Sequence, residues 1–425
     1  MKKNKNNFYL MLLILFPIYS FSAGMTTHQL ISFWVENGSH QDLQTLLKKN
    51  QNDFRNGTIF PDLADQYIKS LNKYDFHKKS DDLSHGIKYV GTKNSKYVQS
   101  LEDGSRREAG GMINEYFKLM KKSCGNTIIT KDKRCQEAYS FWIGMVSHVV
   151  ADVPWHREWI VSTTDTNKKS DPKDNDLETR HKYADNDVDI CLAKVINDVK
   201  VTHHAHVKKI RKNKHVGQGC KDVHGFWDLH GGNGLLGACY KCPKGYHHDK
   251  LHGVTSKKIC YKKDYGICND IKLKDLRKIG PLPIPNRLTN ALSFGVPSVV
   301  GNTFAQNAFA KMDKEYPGVK QHINAVGLMH YTEKTILTKL IPEQLAKKSN
   351  MKDKKQHYKN AYKQVAYGQG GLKDTYHVTL NFVNKVWSLT KQGKHLQIVR
   401  LDDHGGLKRL NHGILVDKKF VHKLY

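Results

Sequence analysis

A nearly continuous apolar segment, residues 137–153 (EAYSFWIGMVSHVVADV), constrains the fold of this chain more than any other feature. A helix this apolar must be buried on all sides, which requires other helices packed around it. Two titratable residues, His148 and Asp152, lie inside the segment, and both are costly to bury unless they are paired or bound to a metal. The segment therefore predicts a helical core with a polar site at its centre.

The spacing of these two residues points to metal binding. Residues four apart on a helix are rotated by only about 40°, so His148 and Asp152 share one face, and His156 continues that face beyond Pro154, which kinks or ends the helix. Imidazole and carboxylate together suit zinc, and a carboxylate can bridge two ions. A satisfied pair of buried polar groups is the alternative, because the same spacing recurs at His77/Asp81, His181/Asp185 and His224/Asp228.

The first 22 residues are typical of a secretory signal. Lys2, Lys3 and Lys5 precede an apolar run from Phe8 to Tyr19, which small residues follow. Such a run is too short to span a bilayer, and cleavage after Ser22 would leave a mature chain that begins at Ala23. An uncleaved anchor is the alternative. The pattern predicts a secreted or periplasmic protein.

The composition changes along the rest of the chain. We expect a mainly α bundle over residues 23–200, a Cys/His-rich, disulfide-stapled module over 201–275, and a mixed, mostly helical C-terminal region over 276–425 that would complete the helical domain. Within the bundle, Leu30, Phe33 and Trp34 recur at helical spacing. Gly57–Asp62 is interpreted as a turn. The periodicity predicts C-terminal helices at 302–314, 332–348 and 376–391, and a final strand near Ile398.

Cysteines and charge set further limits. Export to an oxidising compartment would pair the eight cysteines, and Cys124 and Cys135, which flank a short polar loop, are expected to bond to each other. Cys239 and Cys242 have the spacing of half a zinc knuckle, which is the alternative to a disulfide. The formal charge of +29 predicts attraction to a polyanion, either an anionic membrane surface or nucleic acid. The sequence contains no Gly-rich phosphate loop, no Walker pattern and no His-Glu-x-x-His motif. No organic cofactor is expected.

Several motifs occur in one order and together resemble the zinc-dependent phospholipase C/D family. The resemblance covers about residues 23–190 and is greatest to the catalytic part of glycosylphosphatidylinositol-specific phospholipase D; bacterial zinc phospholipases C and single-strand-specific zinc nucleases are more distant. The short gap between Asp152 and His156 matches the phospholipase D-like branch and opposes a nuclease. The motifs are Gly24–His28, Gly57–Asp62, Gly144–His156 and His181–Asp185.

The resemblance implies an all-α bundle that holds three zinc ions in a cleft. The N-terminal amino and carbonyl groups of the mature chain would bind one zinc, and Asp152 would bridge two ions. His77 competes with His85 for one ligand position, and Asp62 would orient or deprotonate the attacking water. The implied metal ligands are Ala23, His28, Asp62, His85, His148, Asp152, His156, His181 and Asp185.

Three functions follow as hypotheses. The first is an exported zinc phosphodiesterase that hydrolyses phospholipids, with type C or type D cleavage left open, by means of a metal-activated water. The second is a zinc nuclease with the same fold, which the positive charge supports. The third is a basic, non-enzymatic binding protein with a relic metal site.

Overall fold

A computed structural model of the protein describes parts of the chain in detail. These are residues 24–85, 112–125, 132–155, 159, a set of helical residues between 185 and 196, the strand backbones within 202–263, and residues 271–283, 296–335, 365–368, 370–393, 398–400 and 414–416. The signal segment and the polar loop at 163–178 lie outside the described residues. Among the helices that are described, none has the length and apolar character needed to cross a membrane.

The described core is built from helices, which confirms the predicted fold class. A short 3-10 turn, Asp75–Lys79, precedes the fourth helix. The helices are α1 (Met25–Gly38), α2 (Gln41–Lys49), α3 (Gln51–Ser70), α4 (Ser80–His85), α5 (Met112–Cys124), α6 (Lys133–Pro154), α7 (Leu273–Ile279), α8 (Val299–Lys311), α9 (Val319–His322), α10 (Ala325–Thr335) and α11 (Leu372–Lys391).

Helix α6 lies at the centre of the bundle, as its apolar sequence predicts. The Asp132 carboxylate caps its first turn by accepting a hydrogen bond from the Cys135 backbone N–H at 3.1 Å. Phe141, Trp142 and Met145 are fully buried against the surrounding helices. The helix ends at Pro154, and the Trp155 N–H after it still donates to the Ala151 carbonyl.

The predicted turn at Gly57–Asp62 is wrong, because these residues lie inside the continuous helix α3. A Cβ added to Gly57 would lie 2.0 Å from the Phe141 carbonyl oxygen, and one added to Gly144 would lie 2.3 Å from the Phe54 carbonyl oxygen. The two glycines therefore let the backbones of α3 and α6 come into contact. Helix packing, rather than turn geometry, is the reason for glycine here, and Pro61 is accommodated within the helix.

The C-terminal helices pack into the same hydrophobic core as the N-terminal ones. The Trp34 indole N–H donates to the Pro281 carbonyl at 2.6 Å, and the Tyr139 hydroxyl donates to Thr390 Oγ1 at 3.2 Å. Helices α8, α10 and α11 begin within seven residues of the predicted positions, but α10 ends at Thr335. The segments on either side of the Cys/His-rich stretch thus form one core.

The Cys/His-rich stretch contains short strands that the sequence patterns did not predict. Strands β1 (Thr202–His206), β6 (Ile259–Lys263) and β5 (His247–His248) form one antiparallel sheet in the order β1-β6-β5. Strands β2 (Lys208–Lys212), β4 (Ala238–Lys241) and β3 (Phe226–Asp228) form a second in the order β2-β4-β3. Segments such as THHAH and KKIRK lack apolar alternation, which is the signal for a strand.

Two smaller predictions are also resolved. Cys124 and Cys135 form a disulfide with an S–S distance of 2.03 Å, which confirms their predicted pairing. None of the cysteines that the structure describes is free. The predicted final strand is present as β7 (Ile398–Arg400), which pairs in an antiparallel manner with β8 (Ile414–Val416).

Candidate metal centre

Five buried side chains from four helices meet beside the crossing of α3 and α6. They form two groups whose ligand atoms lie within 4.8 Å of one another, and both groups include His148. The first group is His28, His148 and Asp152; the second is Asp62, His85 and His148. The sequence had predicted all five as ligands, and the fold brings them to one place.

The two carboxylates face the imidazoles in different ways. Asp152 uses both oxygens, with Oδ1 at 3.2 Å from Nε2 of His28 and Oδ2 at 3.5 Å from Nε2 of His148. This arrangement has the form of a bridging carboxylate. Asp62 uses one oxygen, and its Oδ1 lies 3.4 Å from Nε2 of His85 and 3.7 Å from Nε2 of His148.

The ring of His148 is held in one orientation by its surroundings. Its Nδ1 lies 2.7 Å from the Thr58 carbonyl oxygen, which accepts a hydrogen bond from the ring N–H. The His28 ring stacks on it with centroids 3.8 Å apart. Because Nδ1 carries the proton, the Nε2 lone pair of neutral His148 points into the group, as it does in histidines that bind metals.

Burial and neighbouring charges set the protonation states of this centre. Burial lowers the pKa of His148 to about 3, and the adjacent His28 ring adds to this shift. Burial alone would raise the pKa of Asp62, but the facing imidazoles of His148 and His85 hold that pKa well below its usual value. At neutral pH the centre therefore presents a neutral imidazole beside an ionised carboxylate, the forms that bind a metal ion.

Two ring nitrogens test whether these residues fit zinc. Within the described part of the chain, the buried Nε2 atoms of His28 and His148 have no hydrogen-bond partner of acceptable geometry, although carboxylate oxygens lie nearby. Buried polar atoms without partners are rare in folded proteins. Nitrogen and carboxylate oxygen are zinc ligands, so zinc bound at the two groups would give each of these nitrogens a partner. The donor set therefore fits the metal.

The remaining predicted ligands are placed as follows. Asp185 is buried, and its Oδ1 accepts a hydrogen bond from the Trp155 indole N–H at 2.8 Å. Its expected partners His156 and His181 lie outside the described residues, as does Ala23. His77 contacts the Tyr74 carbonyl through Nδ1 at 2.6 Å and belongs to neither group, whereas His85 does.

Two residues that support the centre were missed by the sequence analysis. Thr58 acts through its backbone carbonyl, which any residue type offers, so no side-chain pattern indicates it. Asp189 accepts hydrogen bonds at the start of α1, 163 residues earlier in the chain. It follows Asp185 by four residues in the sequence, which is the spacing of residues that share a helix face, and that spacing was the available signal.

The helical core and the paired His/Asp groups define the class of protein: an α-helical bundle with a buried site suited to zinc. A protein-family model described as zinc dependent phospholipase C matches residues 19–228, slightly less than half of the chain. The match supports this family for that region, and with the His/Asp groups it supports a zinc-dependent phospholipid hydrolase. No curated protein and no solved structure matched the chain significantly.

Proposed function

We propose that this chain is an exported, zinc-dependent phosphodiesterase that hydrolyses phospholipids at an anionic membrane surface. The observation that carries the proposal is the pair of overlapping His/Asp groups that share His148, inside the region matching the phospholipase C family. The proposal includes three zinc ions. His28 and Asp152 would hold one with the N-terminus of the mature chain, and Asp62, His85, His148 and Asp152 would hold the second.

The third ion would bind at Asp185, together with His156 and His181. Asp185 is buried, and Trp155 fixes one of its carboxylate oxygens through a hydrogen bond of 2.8 Å. Outer contacts of this kind orient a carboxylate toward a metal. This part of the proposal rests on the sequence motif and on the burial of Asp185.

The residues of the centre have separable tasks in the reaction. Bound zinc would supply Lewis acidity, which lowers the pKa of a water molecule and neutralises charge on the phosphodiester oxygens. Asp62 is ionised, and its Oδ1 lies beside the imidazoles of His85 and His148 at the centre, so it is suited to orient the attacking water or take its proton. Asp152 keeps the two histidine groups together by engaging a different imidazole with each oxygen.

The proposed location and substrate surface rest on other features. The basic, apolar N-terminus is typical of a signal, and the Cys124–Cys135 disulfide suits an oxidising compartment. The formal charge of +29 would hold the protein on anionic lipid. The short gap from Asp152 to His156 favours a phospholipase D-like specificity that extends to glycosylphosphatidylinositol-like lipids.

Product analysis tests the activity directly. The mature protein, loaded with zinc, is incubated with vesicles of defined phosphatidylcholine and phosphatidylserine, and the products are separated by mass spectrometry. Diacylglycerol would assign type C cleavage, and phosphatidic acid would assign type D. Degradation of single-stranded DNA without lipid hydrolysis would assign the nuclease function instead. If the protein shows neither activity and binds less than one zinc per chain, it would be a binding protein with a relic metal site.

A matched pair of variants connects the activity to the site. His85→Gln removes an imidazole 3.4 Å from Asp62 and should abolish hydrolysis. His77→Gln changes the same residue type eight positions earlier, where the ring contacts the Tyr74 backbone carbonyl and belongs to neither group, and it should retain activity. Equal activity of both variants would exclude this centre as the site of the reaction.

A further inference from the structure

Asp189 connects two parts of the protein that are distant in the sequence. Its Oδ1 accepts hydrogen bonds from the Thr27 N–H at 2.9 Å and the Thr27 hydroxyl at 2.7 Å. Its Oδ2 accepts one from the Thr26 N–H at 3.0 Å. Asp189 is 1 % exposed, so these bonds are shielded from water and hold the carboxylate firmly.

These contacts make Asp189 the cap of α1, supplied from another helix. The first backbone N–H groups of a helix have no partner within it, and a side-chain oxygen at the N-cap position normally accepts from them. The N-cap residue here is Gly24, which has no side chain, and a Cβ at that position would lie 2.0 Å from Oδ2 of Asp189. The Asp189 carboxylate thus occupies the space that a capping side chain would fill.

The location of this cap relates it to the metal centre. His28 follows Thr27 directly, and its backbone N–H bonds to the Gly24 carbonyl at 3.1 Å to close the first turn of α1. The His28 ring then stacks on His148 and faces Asp152. Asp189 follows Asp185 by four residues in the sequence, and both carboxylates are buried.

We propose that Asp189 is a positioning residue of the metal centre, which fixes His28 at its zinc ion by capping the first turn of α1 from a distant position in the sequence. The inference rests on the proposed function for the identity of the metal. A helix end without a cap frays over its first turn, and His28 lies in that turn. Loss of Asp189 would therefore release His28 from its zinc site before it affects the rest of the bundle.

Zinc binding measured by competition with a chromophoric chelator tests this role without any substrate. Asp189→Ala removes the hydrogen bonds to Thr26 and Thr27 and should weaken one class of zinc sites by about 10- to 100-fold, the usual effect of losing an outer contact. Asp189→Asn keeps one acceptor oxygen and should give an intermediate loss. Gly24→Ala would place a Cβ against the Asp189 carboxylate and displace it, so this variant should also weaken that class of sites.

A capping variant elsewhere in the bundle is the matched control. Ser298 caps α8 by accepting from the Gly301 N–H at 2.9 Å, and Ser298→Ala should lower the thermal midpoint while leaving every zinc affinity unchanged. Thr27→Val removes only the hydroxyl bond to Asp189 and keeps a β-branched side chain, so it should fold as wild type and bind zinc several-fold more weakly. This variant decides the question even where Asp189→Ala reduces folding yield.

The outcomes separate this inference from the proposed function. Wild-type zinc affinity at every site in Thr27→Val and Asp189→Asn would overturn the role of Asp189, whatever the protein hydrolyses. An equal loss of zinc affinity in Ser298→Ala would overturn it too, because general destabilisation would then explain the effect. If the wild type binds zinc but cleaves no phospholipid, the proposed function fails while the effect of Asp189 on zinc binding remains measurable.

Discussion

The contact between α3 and α6 at Gly57 gives the sharpest prediction about how the fold positions the centre. A Cβ on Gly57 would lie 2.0 Å from the Phe141 carbonyl oxygen, whereas real Cβ atoms essentially never come within 3.0 Å of a non-bonded heavy atom of another residue. The shortfall is 3.0 − 2.0, or about 1 Å. Since the blocking atom belongs to a helix backbone, Gly57→Ala must push the two helices apart.

Two opposing terms determine the stability of Gly57→Ala. Alanine gains up to about 1 kcal/mol over glycine in helix propensity. Overpacking of a close contact costs about 1–3 kcal/mol, and the upper part of that range applies where no side chain can rotate away. We therefore expect a net loss of about 2 kcal/mol in the free energy of unfolding, which corresponds to about 4–8 °C in the thermal midpoint for a domain of this size.

The displacement should affect zinc binding more than stability. The bond from His148 Nδ1 to the Thr58 carbonyl is 2.7 Å long and spans the same crossing, so a shift of about 1 Å would break it. Metal sites tolerate deviations of only about 0.2 Å in ligand distance. Zinc affinity, measured by chelator competition, should fall at the site that uses His148.

A second glycine in a helix provides the control for this variant. A Cβ on Gly327 would lie 2.3 Å from the Tyr67 hydroxyl, the end of a side chain that can move. Gly327→Ala should therefore change the thermal midpoint modestly and leave zinc affinity intact. A Gly57→Ala protein as stable as wild type, with unchanged zinc affinity, would refute the reasoning that close backbone contact positions the centre.

Three further predictions concern charges around the bundle. Asp152→Asn should lose zinc from two sites and nearly all hydrolysis, because a neutral amide cannot replace a bridging carboxylate; metal analysis and the vesicle assay check this. A residue or tag added before Ala23 should remove one zinc ion while the helical circular dichroism stays unchanged, because an extended chain has no free amine at that position. Burial raises the pKa of Asp53 to about 6, with Ser298 opposing the shift by a hydrogen bond, so the folded state binds its proton more tightly than the unfolded state does. The stabilisation from this proton is complete below about pH 4 and is lost as pH rises through 6. The wild type should therefore lose about 1–3 kcal/mol of unfolding free energy over this range, a figure reduced for solvent screening of a partly exposed group. Denaturant titrations of Asp53→Asn should not show this loss.

The sequence was most informative where function and local structure coincide. The periodicity of residues 137–153 indicated both a buried helix and a shared face for His148 and Asp152, and the structure shows both. Short-range features such as the Cys124–Cys135 disulfide also followed from spacing alone. In each case the interacting residues are close in the chain, so their geometry follows from helix or loop dimensions.

Predictions failed where the cause lies in a distant segment. Gly57 was interpreted as a turn residue because glycine is common in turns, and the need for it comes from Gly144, 87 positions later in the printed sequence. The capping of Thr26 and Thr27 by Asp189 likewise depends on tertiary contact. No propensity or spacing rule reports which helix backbone will lie against a given glycine, or which carboxylate will reach a given helix end.

The residues that go against the usual sequence preferences of helices lie around one site. Helix α3 contains a glycine and a proline, both unfavourable in a helix interior, and the most apolar helix of the bundle contains a histidine and a carboxylate. Taken singly, each would destabilise the protein. Together they make sense, because Gly57 and Gly144 bring the helices close enough for His148 to reach the Thr58 carbonyl and to face Asp62. Such conflicts between local preference and overall fold are expected at functional sites, and here they coincide with the two groups that share His148.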